Sequence, residues 1–544
     1  SSRSTGKKGS GSSVWESKNS LFDFLPQHAR LSALFSNSKG VFMMKYDYDI
    51  GIIGGGSAGL TIAAGAAQLG AKTLLIEKEK ELGGDCLHFG CVPSKTLIRT
   101  ARIYHQMKNA KAYGLPEADV PPVDFARVAD RIRSVIGAIQ RHDSSERFCG
   151  LGARVEFGNP VFVDEHAVSL DGLPRSATSW VIATGSSATV PPVPGLDRTP
   201  FLTNREIFSL ERLPASMVII GGGPVGVEMG QAFNRLGTAV TIIEMGAAIL
   251  PKEDADMAGA VMETLRAEGV RFLLGAAVLR ATDLGTAREI TVRIGETVET
   301  HRAEAILVAA GREPNLRGMG LDGIGVEFDR RGLRLDDRLR TTQKHIWGAG
   351  DVTGTYPFTH AAGYEGGVVV ANAVFRLPRK VDYTFLPWCT YTDPELASIG
   401  LNEKAAREAG IRYSLWVEHF RGNDRGLAEG EAAGKIKMLL DEREKPVGVQ
   451  ILGPRAGDLL AEWVAVFNGR TRLSTLASAV HPYPTLAEIN KRVAGAFLST
   501  KIFSEPVKKG LKLFFNLRGR ACEPAARGED VMKQGSSESP SDLE

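Results

Sequence analysis

Cys86 and Cys91 stand with four residues between them in the segment GGDCLHFGCVPSK, residues 83–95, in a chain that has only five cysteines in 544 residues. Two thiols at this spacing can ligate a metal, pack as inert groups, or exchange electrons as a redox couple. Zinc takes about four ligands. His88 could be a third, but no second Cys/His cluster lies nearby to complete the set. In an unbroken helix, residues five positions apart hold their Cα atoms roughly 8–9 Å apart, beyond the roughly 7 Å that a disulfide spans. A bridge therefore needs a break in the helix, which Gly90 and Pro93 permit. Strain in such a bridge would make it more reducible. The redox couple is the favoured reading, and no metal site is expected.

A redox couple needs an electron source, and the chain carries two stretches suited to one. Residues 48–78 open with an apolar run, turn through Gly54-x-Gly56-x-x-Gly59 with Ser57 and Ala58 between the glycines, continue as an Ala-rich helix and end in TLLIE. The first glycine allows the tight turn, the second lets backbone approach a pyrophosphate, and the third lets helix pack on strand. The pyrophosphate then rests on unpaired N–H groups at the helix N-terminus. Glu77, twenty-three residues after Gly54, is placed to accept from ribose hydroxyls. The arrangement recurs with Gly221, Gly223 and Gly226, and Glu244 again lies twenty-three residues beyond the first glycine. Two dinucleotide sites on one chain imply a bound flavin and a diffusible nicotinamide.

The cysteine segment resembles the active-site segment of the class I pyridine nucleotide–disulfide oxidoreductases, and the resemblance runs from about Tyr46 to about Lys501. VIATGS (181–186, with Thr184, Gly185 and Ser186) is similar to the strand returning to the flavin domain. AAGREPN (309–315, with Gly311) resembles the turn closing the nicotinamide domain. IWGAGDV carries Asp351, similar to an aspartate on the ribityl chain, and PFTHAAGYEG, with Phe358, Thr359 and His360, resembles the helix beneath the flavin ring. Gly84 and Gly158 complete the flavin contacts that the resemblance implies. It implies further that Cys91 lies against the flavin, that Cys86 is the outer thiol that meets substrate, and that Lys95 pairs with Glu228 near flavin N5. The implied cofactors are FAD and NAD(H), the latter preferred over NADP(H) because no Arg or Lys follows Glu244 closely. Cys149, Cys389 and Cys522 have no paired spacing and read as structural or incidental.

The implied fold class is α/β, with two Rossmann-like dinucleotide-binding domains and a C-terminal α+β dimerisation domain. Its divisions are an extension at 1–44, the first part of the FAD domain at 45–190, the NAD domain at 191–315, a central segment at 316–383, an interface domain at 384–505, and a basic segment with tail at 506–544. The family forms homodimers in which the interface domain completes the partner's site. One departure bears on substrate. Disulfide-reducing members place His directly before Pro-Thr, whereas HPYPTLAEINKR has Tyr483 there, with Glu488 in its usual place and His481 two residues upstream. Mercuric reductase resembles this chain in having Tyr at that point, but the vicinal C-terminal cysteines of that enzyme are missing here. A phenol of pKa near ~10 is a poor base at neutral pH. The expected acceptor is therefore a small thiophilic molecule or metal ion. A dihydrolipoamide dehydrogenase-like disulfide reductase is the alternative, and a flavoprotein redox sensor or docking protein the reading from another class.

Composition sets outer bounds. A net charge of +3 gives no drive toward nucleic acid, and 43% hydrophobic residues supply ample core. Sparse cysteine suits a reducing, cytoplasmic setting. Residues 1–44, rich in Ser, Gly and Lys, read as disorder, with a basic leader as the lesser reading. VKKGLKLFFNLRGR (507–520) mixes Leu and Phe with five basic residues. A helix packed on its own protein is expected there, in preference to a membrane contact.

Overall fold

The computed structural model describes residues 46–522. The apolar run before the first glycine turn forms strand β1 (Tyr48–Ile53), buried except at Asp49, and TLLIE forms the wholly buried β2 (Thr73–Glu77). Continuous burial is what a parallel strand covered on both faces demands. Helix α1 (Ser57–Gln68) joins them and buries Ala58, Ala63, Ala66 and Ala67, small side chains that let it lie close to the sheet. Helices α2 (Gly84–His88) and α3 (Cys91–Lys108) follow. β3 (Ala153–Phe157) and β4 (Leu173–Ile182) complete the parallel order β3-β2-β1-β4. A hairpin of Pro160–Asp164 and Ala167–Leu170 extends the first half of β4. Beside the second half of β4 runs Ile346–Gly348, so the chain leaves this sheet after 182 and rejoins it at 346.

The excursion holds a second sheet built to the same plan. β5 (Ser216–Ile220), β6 (Ala239–Ile243), β7 (Arg271–Leu273) and β8 (Ala305–Val308) are parallel in the order β7-β6-β5-β8. α4 (Pro224–Leu236) follows the second glycine turn. After the chain rejoins the first sheet, α5 (Thr359–Ala373) packs on α1 through small residues, a Cβ on Gly366 coming within 3.2 Å of Ala58 O. An antiparallel sheet ordered Pro387–Thr390, Glu395–Gly400, Pro446–Gly453, Lys435–Asp441 and Tyr413–His419 then carries α6 (Glu488–Ile502), giving the α+β third region.

Leu97 and Ala101 of α3 share a buried cluster with Val227 and Phe233 of α4 and with Leu396 and Leu452 of the antiparallel sheet. The helix that begins at Cys91 is thus held against both neighbouring sheets. The expectation for 507–520 fails. α7 (Glu505–Phe515) forms but buries none of its residues. The core of the C-terminal region already closes with Phe497 of α6 and includes nothing from α7, so its apolar side chains have nothing of this protomer left to cover. Among the described residues no helix is long and apolar enough to cross a membrane. The readings for 1–44 fall outside the described residues.

Candidate active site

Cys86 and Cys91 occupy two different helices. α2 ends at His88, Gly90 takes φ −128° and ψ −111°, and α3 begins on Cys91. Glycine is required at that break because a Cβ on Gly90 would stand 2.9 Å from Asp85 O. Pro93 lies instead in the first turn of α3, where a missing N–H costs nothing. Both cysteines are thiols. Cys86 donates a hydrogen bond to Cys91, which holds the Cys91 thiol down at about 6 against its burial, with the Thr359 hydroxyl 3.4 Å away and the Lys95 charge assisting. The same hydrogen bond, with burial, pushes the Cys86 thiol up. Cys91 is the first residue of α3 and Thr359 the first of α5, so two helix N-termini meet at this sulfur, each favouring a thiolate. Cys91 lines a large cavity, which opens a deeply placed thiol to solvent.

One turn along α3, Lys95 Nζ donates to Glu228 Oε2 at 2.7 Å and lies 4.5 Å from the centre of the Tyr391 ring. Burial works against the ammonium, but the Glu228 carboxylate outweighs it and keeps Lys95 above its ordinary pKa. The other Glu228 oxygen accepts from Tyr391 N at 2.9 Å, so three regions of the chain converge on one ion pair.

The two glycine turns match atom for atom. Gly54 and Gly221 have φ of +111° and +116°, and a Cβ on either would lie 2.3 Å from the carbonyl oxygen of Ala183 or Ala309. Cβ atoms on Gly59 and Gly226 would strike Gly54 O at 1.8 Å and Gly221 O at 2.0 Å. The middle glycines differ. A Cβ on Gly223 meets nothing within 4 Å, and one on Gly56 only Gly84 Cα at 3.8 Å. Protein packing does not call for glycine there, whereas a closely approaching pyrophosphate does. Glu77 accepts from Gly55 N at 2.6 Å and Glu79 N at 2.8 Å, and Glu244 from Gly222 N at 2.7 Å and Gly246 N at 2.6 Å. Backbone donors thus aim both carboxylates at the ends of their strands. One cavity of about 2250 Å³ reaches both turns, both cysteines and the Lys95–Glu228 pair. Its walls fit one dinucleotide in each fold.

Around that cavity, Ser186 Oγ donates to Asp351 and accepts from Arg312 Nε at 2.7 Å. Thr184 Oγ1 donates to Asn315 O at 2.6 Å, while Gly185 and Gly311 take positive φ and Phe358 stacks on His360. Gly158 is off the cavity wall, and Asp171 Oδ2, 2.6 Å from where its Cβ would be, gives it a packing reason to be glycine. Cys389 does line the cavity, but burial pushes its thiol well up, which disfavours the thiolate form.

Tyr483, His481 and Glu488 lie elsewhere, away from the cavity of their own protomer. The chain turns after Pro482, where Thr485 Oγ1 donates to Pro482 O at 2.9 Å. Tyr483 is 71% exposed and donates to Asp424 Oδ2 at 2.8 Å, a bond that raises the phenol above its ordinary pKa. His481 is turned inward, with Nε2 2.9 Å from Glu462 Oε1 and Nδ1 3.3 Å from Ala479 O. Glu488 Oε2 accepts from Thr485 N at 3.4 Å.

The structure adds partners that sequence reasoning missed. Asp85, inside the cysteine segment, accepts from Arg312 Nη2 at 2.9 Å and from Asn204 Nδ2 at 3.0 Å. Asn204 also donates to Phe89 O at 3.1 Å, bracing the break between α2 and α3. Arg312 sits in a recognisable glycine turn, but Asn204 carries no sequence signal.

Residues 48–366 match the family model for pyridine nucleotide-disulphide oxidoreductases, and residues 386–494 match the dimerisation domain of that family. The chain belongs to the pyridine nucleotide-disulphide oxidoreductase family. It is 34% identical over 467 residues to a mercuric reductase of Bacillus cereus, covering 85% of this chain and 73% of that protein. It is 33% identical over 464 residues to a dihydrolipoyl dehydrogenase of Bacillus subtilis, covering 82% and 97%. A solved Cu(II) complex of the HOCl-induced flavoprotein disulfide reductase RclA of Escherichia coli superposes with a TM-score of 0.74 at 26% identity, covering 82% of this chain and 99% of that one. This family oxidoreductase is therefore a flavoenzyme that uses FAD and NAD(P)H.

Proposed function

We propose that the enzyme passes electrons from NADH to a thiophilic acceptor of the soft metal ion class, in preference to a disulfide. The observation that carries this reading is the state of the two candidate bases. Disulfide exchange needs a group that holds a proton near neutral pH and returns it to the leaving thiol. Tyr483 keeps its proton through Asp424, and both ring nitrogens of His481 already face oxygen acceptors. The relatives leave the acceptor open, since mercuric reductase and dihydrolipoyl dehydrogenase stand at nearly equal identity.

FAD and nicotinamide, when bound, supply hydride transfer between them. The chain does the rest. A Cys86–Cys91 disulfide accepts two electrons and one proton, leaving a thiol on Cys86 and a thiolate on Cys91, the form that the two helix N-termini and Lys95 favour. Lys95 and Glu228 fix charge beside that sulfur. A two-electron acceptor ligated by sulfur needs no protonated leaving group, so no imidazole is required. The matched dimerisation domain supports a homodimer, in which exposed Tyr483 would reach the partner's cavity.

The test is an anaerobic acceptor screen with NADH, comparing mercuric ion held by a small thiol against lipoamide and glutathione disulfide. Turnover with the metal ion and weak disulfide activity are expected, and Tyr483→His should raise disulfide exchange. Lipoamide reduction in that screen, or dihydrolipoamide oxidation with NAD+, by the unaltered enzyme at tens per second or more, an ordinary enzymatic rate, would overturn the reading.

A further inference from the structure

We propose that α7 and residues 516–520 lie on an anionic lipid surface. Val507, Leu511 and Phe514, at i, i+4 and i+7, make one apolar stripe, while Lys508, Lys509 and Lys512 lie on the other side of the helix. The stripe is open: Phe514 is 82% exposed, Val507 and Leu511 are 41% and 42%, and Leu513 and Phe515, which flank it, are 80% and 70%. Large aromatic and aliphatic side chains left uncovered together mark an interaction site.

Charge selects the occupant. Lys508, Lys509, Lys512, Arg518 and Arg520 face a single acid in this segment, Glu505, which pairs with Lys508 at 2.8 Å. Five basic groups less one acidic group leave +4. A second copy of the same segment would set like charges against each other, whereas an anionic surface offsets them. Shape points the same way. Successive residues project about 100° apart on a helix, so Leu513, Phe514 and Phe515 spread over roughly 200°. A protein groove would receive one or two of them, but a bilayer interface yields to all three. Eleven residues extend only ~16 Å at the α-helical rise, about half the hydrocarbon thickness, so the helix lies along the surface and does not span it. The inference is independent of which acceptor the enzyme reduces.

The test uses the FAD-loaded full chain and vesicles of phosphatidylcholine with or without phosphatidylserine. Co-sedimentation with the phosphatidylserine vesicles is expected, weakening as salt is added. Each basic group near an anionic surface strengthens binding about fivefold, so Lys509→Gln with Lys512→Gln should weaken it by about 25-fold. Phe514→Asp should abolish it, with flavin absorbance unchanged in both variants. The proposal is overturned if the unaltered chain stays in the supernatant, if it pellets equally with phosphatidylcholine alone, or if both variants bind as before. It is overturned equally if the unaltered chain ignores vesicles while Phe514→Asp turns a dimer into a monomer by light scattering, which would assign the face to a second copy.

Discussion

Replacing Cys86 with alanine removes the largest single influence on Cys91, the hydrogen bond that its thiol donates. A hydrogen bond to a charged group contributes about 1.5–3 kcal/mol, and one pKa unit corresponds to about 1.4 kcal/mol. Losing it should therefore raise the Cys91 midpoint from about 6 to about 7–8. The thiolate share at pH 7 then falls from about nine-tenths to between a tenth and a half. Two effects oppose each other in the reaction rate. A thiolate of higher pKa is the stronger nucleophile, with a Brønsted slope of about 0.4–0.5, so the plateau at high pH should rise severalfold while the midpoint moves up. The assay is iodoacetamide alkylation of the reduced protein freed of FAD, which leaves Cys91 open to the reagent, from acid to alkaline pH, with the modified cysteine located by mass spectrometry. In the unaltered enzyme Cys91 should be the sulfur alkylated at low pH. A midpoint still near 6 in Cys86→Ala would show that Thr359, Lys95 and the helix termini alone hold the thiolate. Alkylation of Cys86 in preference to Cys91 at low pH would reverse the assignment of the two thiols.

Three further outcomes follow from other parts of the molecule. Glu244 is aimed by Gly222 N and Gly246 N where it would accept from a ribose hydroxyl and repel a 2′-phosphate, so kcat/KM should favour NADH, and Glu244→Ala should narrow that preference by about tenfold or more. Glu365 is wholly buried beneath Gly350 and Tyr383, and burial raises its carboxyl to about 7. The folded state then binds a proton that the unfolded state releases near ~4.5, so stability falls as pH rises through roughly 4.5–7, by about 3 kcal/mol, and Glu365→Gln should flatten that fall in urea titrations. Lys437 is 1% exposed and its ammonium bonds Asp254 at 2.8 Å and Asp256 at 3.0 Å and also pairs with Glu403; Asp256 keeps Lys435 and Glu403 keeps Arg407, so Lys437→Met strips the ion-pair partner from buried Asp254 and should cost about 3–5 kcal/mol by denaturant unfolding.

Features whose physics is local to the chain were open to sequence reasoning. Gly59 is needed because a strand, a turn and a helix follow one another within a few residues, so the clash of a Cβ there with Gly54 O is implied by spacing alone, whereas the contact of Gly54 with Ala183 O belongs to the packed sheet. The break between Cys86 and Cys91 was likewise legible, because helical rise and disulfide reach conflict over five residues. Sequence reasoning placed Pro93 at that break, yet Pro93 opens the next helix and Gly90 alone makes the turn. Contacts assembled from distant parts of the chain were not legible. Asn204 braces Asp85 from 119 residues away, and Tyr391 closes the Lys95–Glu228 pair from another sheet. Asparagine and tyrosine are ordinary at such positions, and only the packed fold says which ones meet.

The C-terminal segment shows the same limit from the other side. His481 stands only two residues before Tyr483 in the sequence. The turn at Pro482 and Thr485 separates them, sending the phenol outward to Asp424 and the imidazole inward to Glu462. Asn490 of α6 donates to the second Glu462 oxygen at 2.9 Å and accepts from Trp463 Nε1 at 2.8 Å, so the imidazole is tied to the buried core of its own domain. Freeing it would break the part-buried bond to Glu462 and the contact with Ala479 O, at about 1–3 kcal/mol for a polar group left unpaired. A base with that cost attached cannot swing into a neighbouring cavity on each turnover, which leaves the exposed phenol as the group that this segment presents.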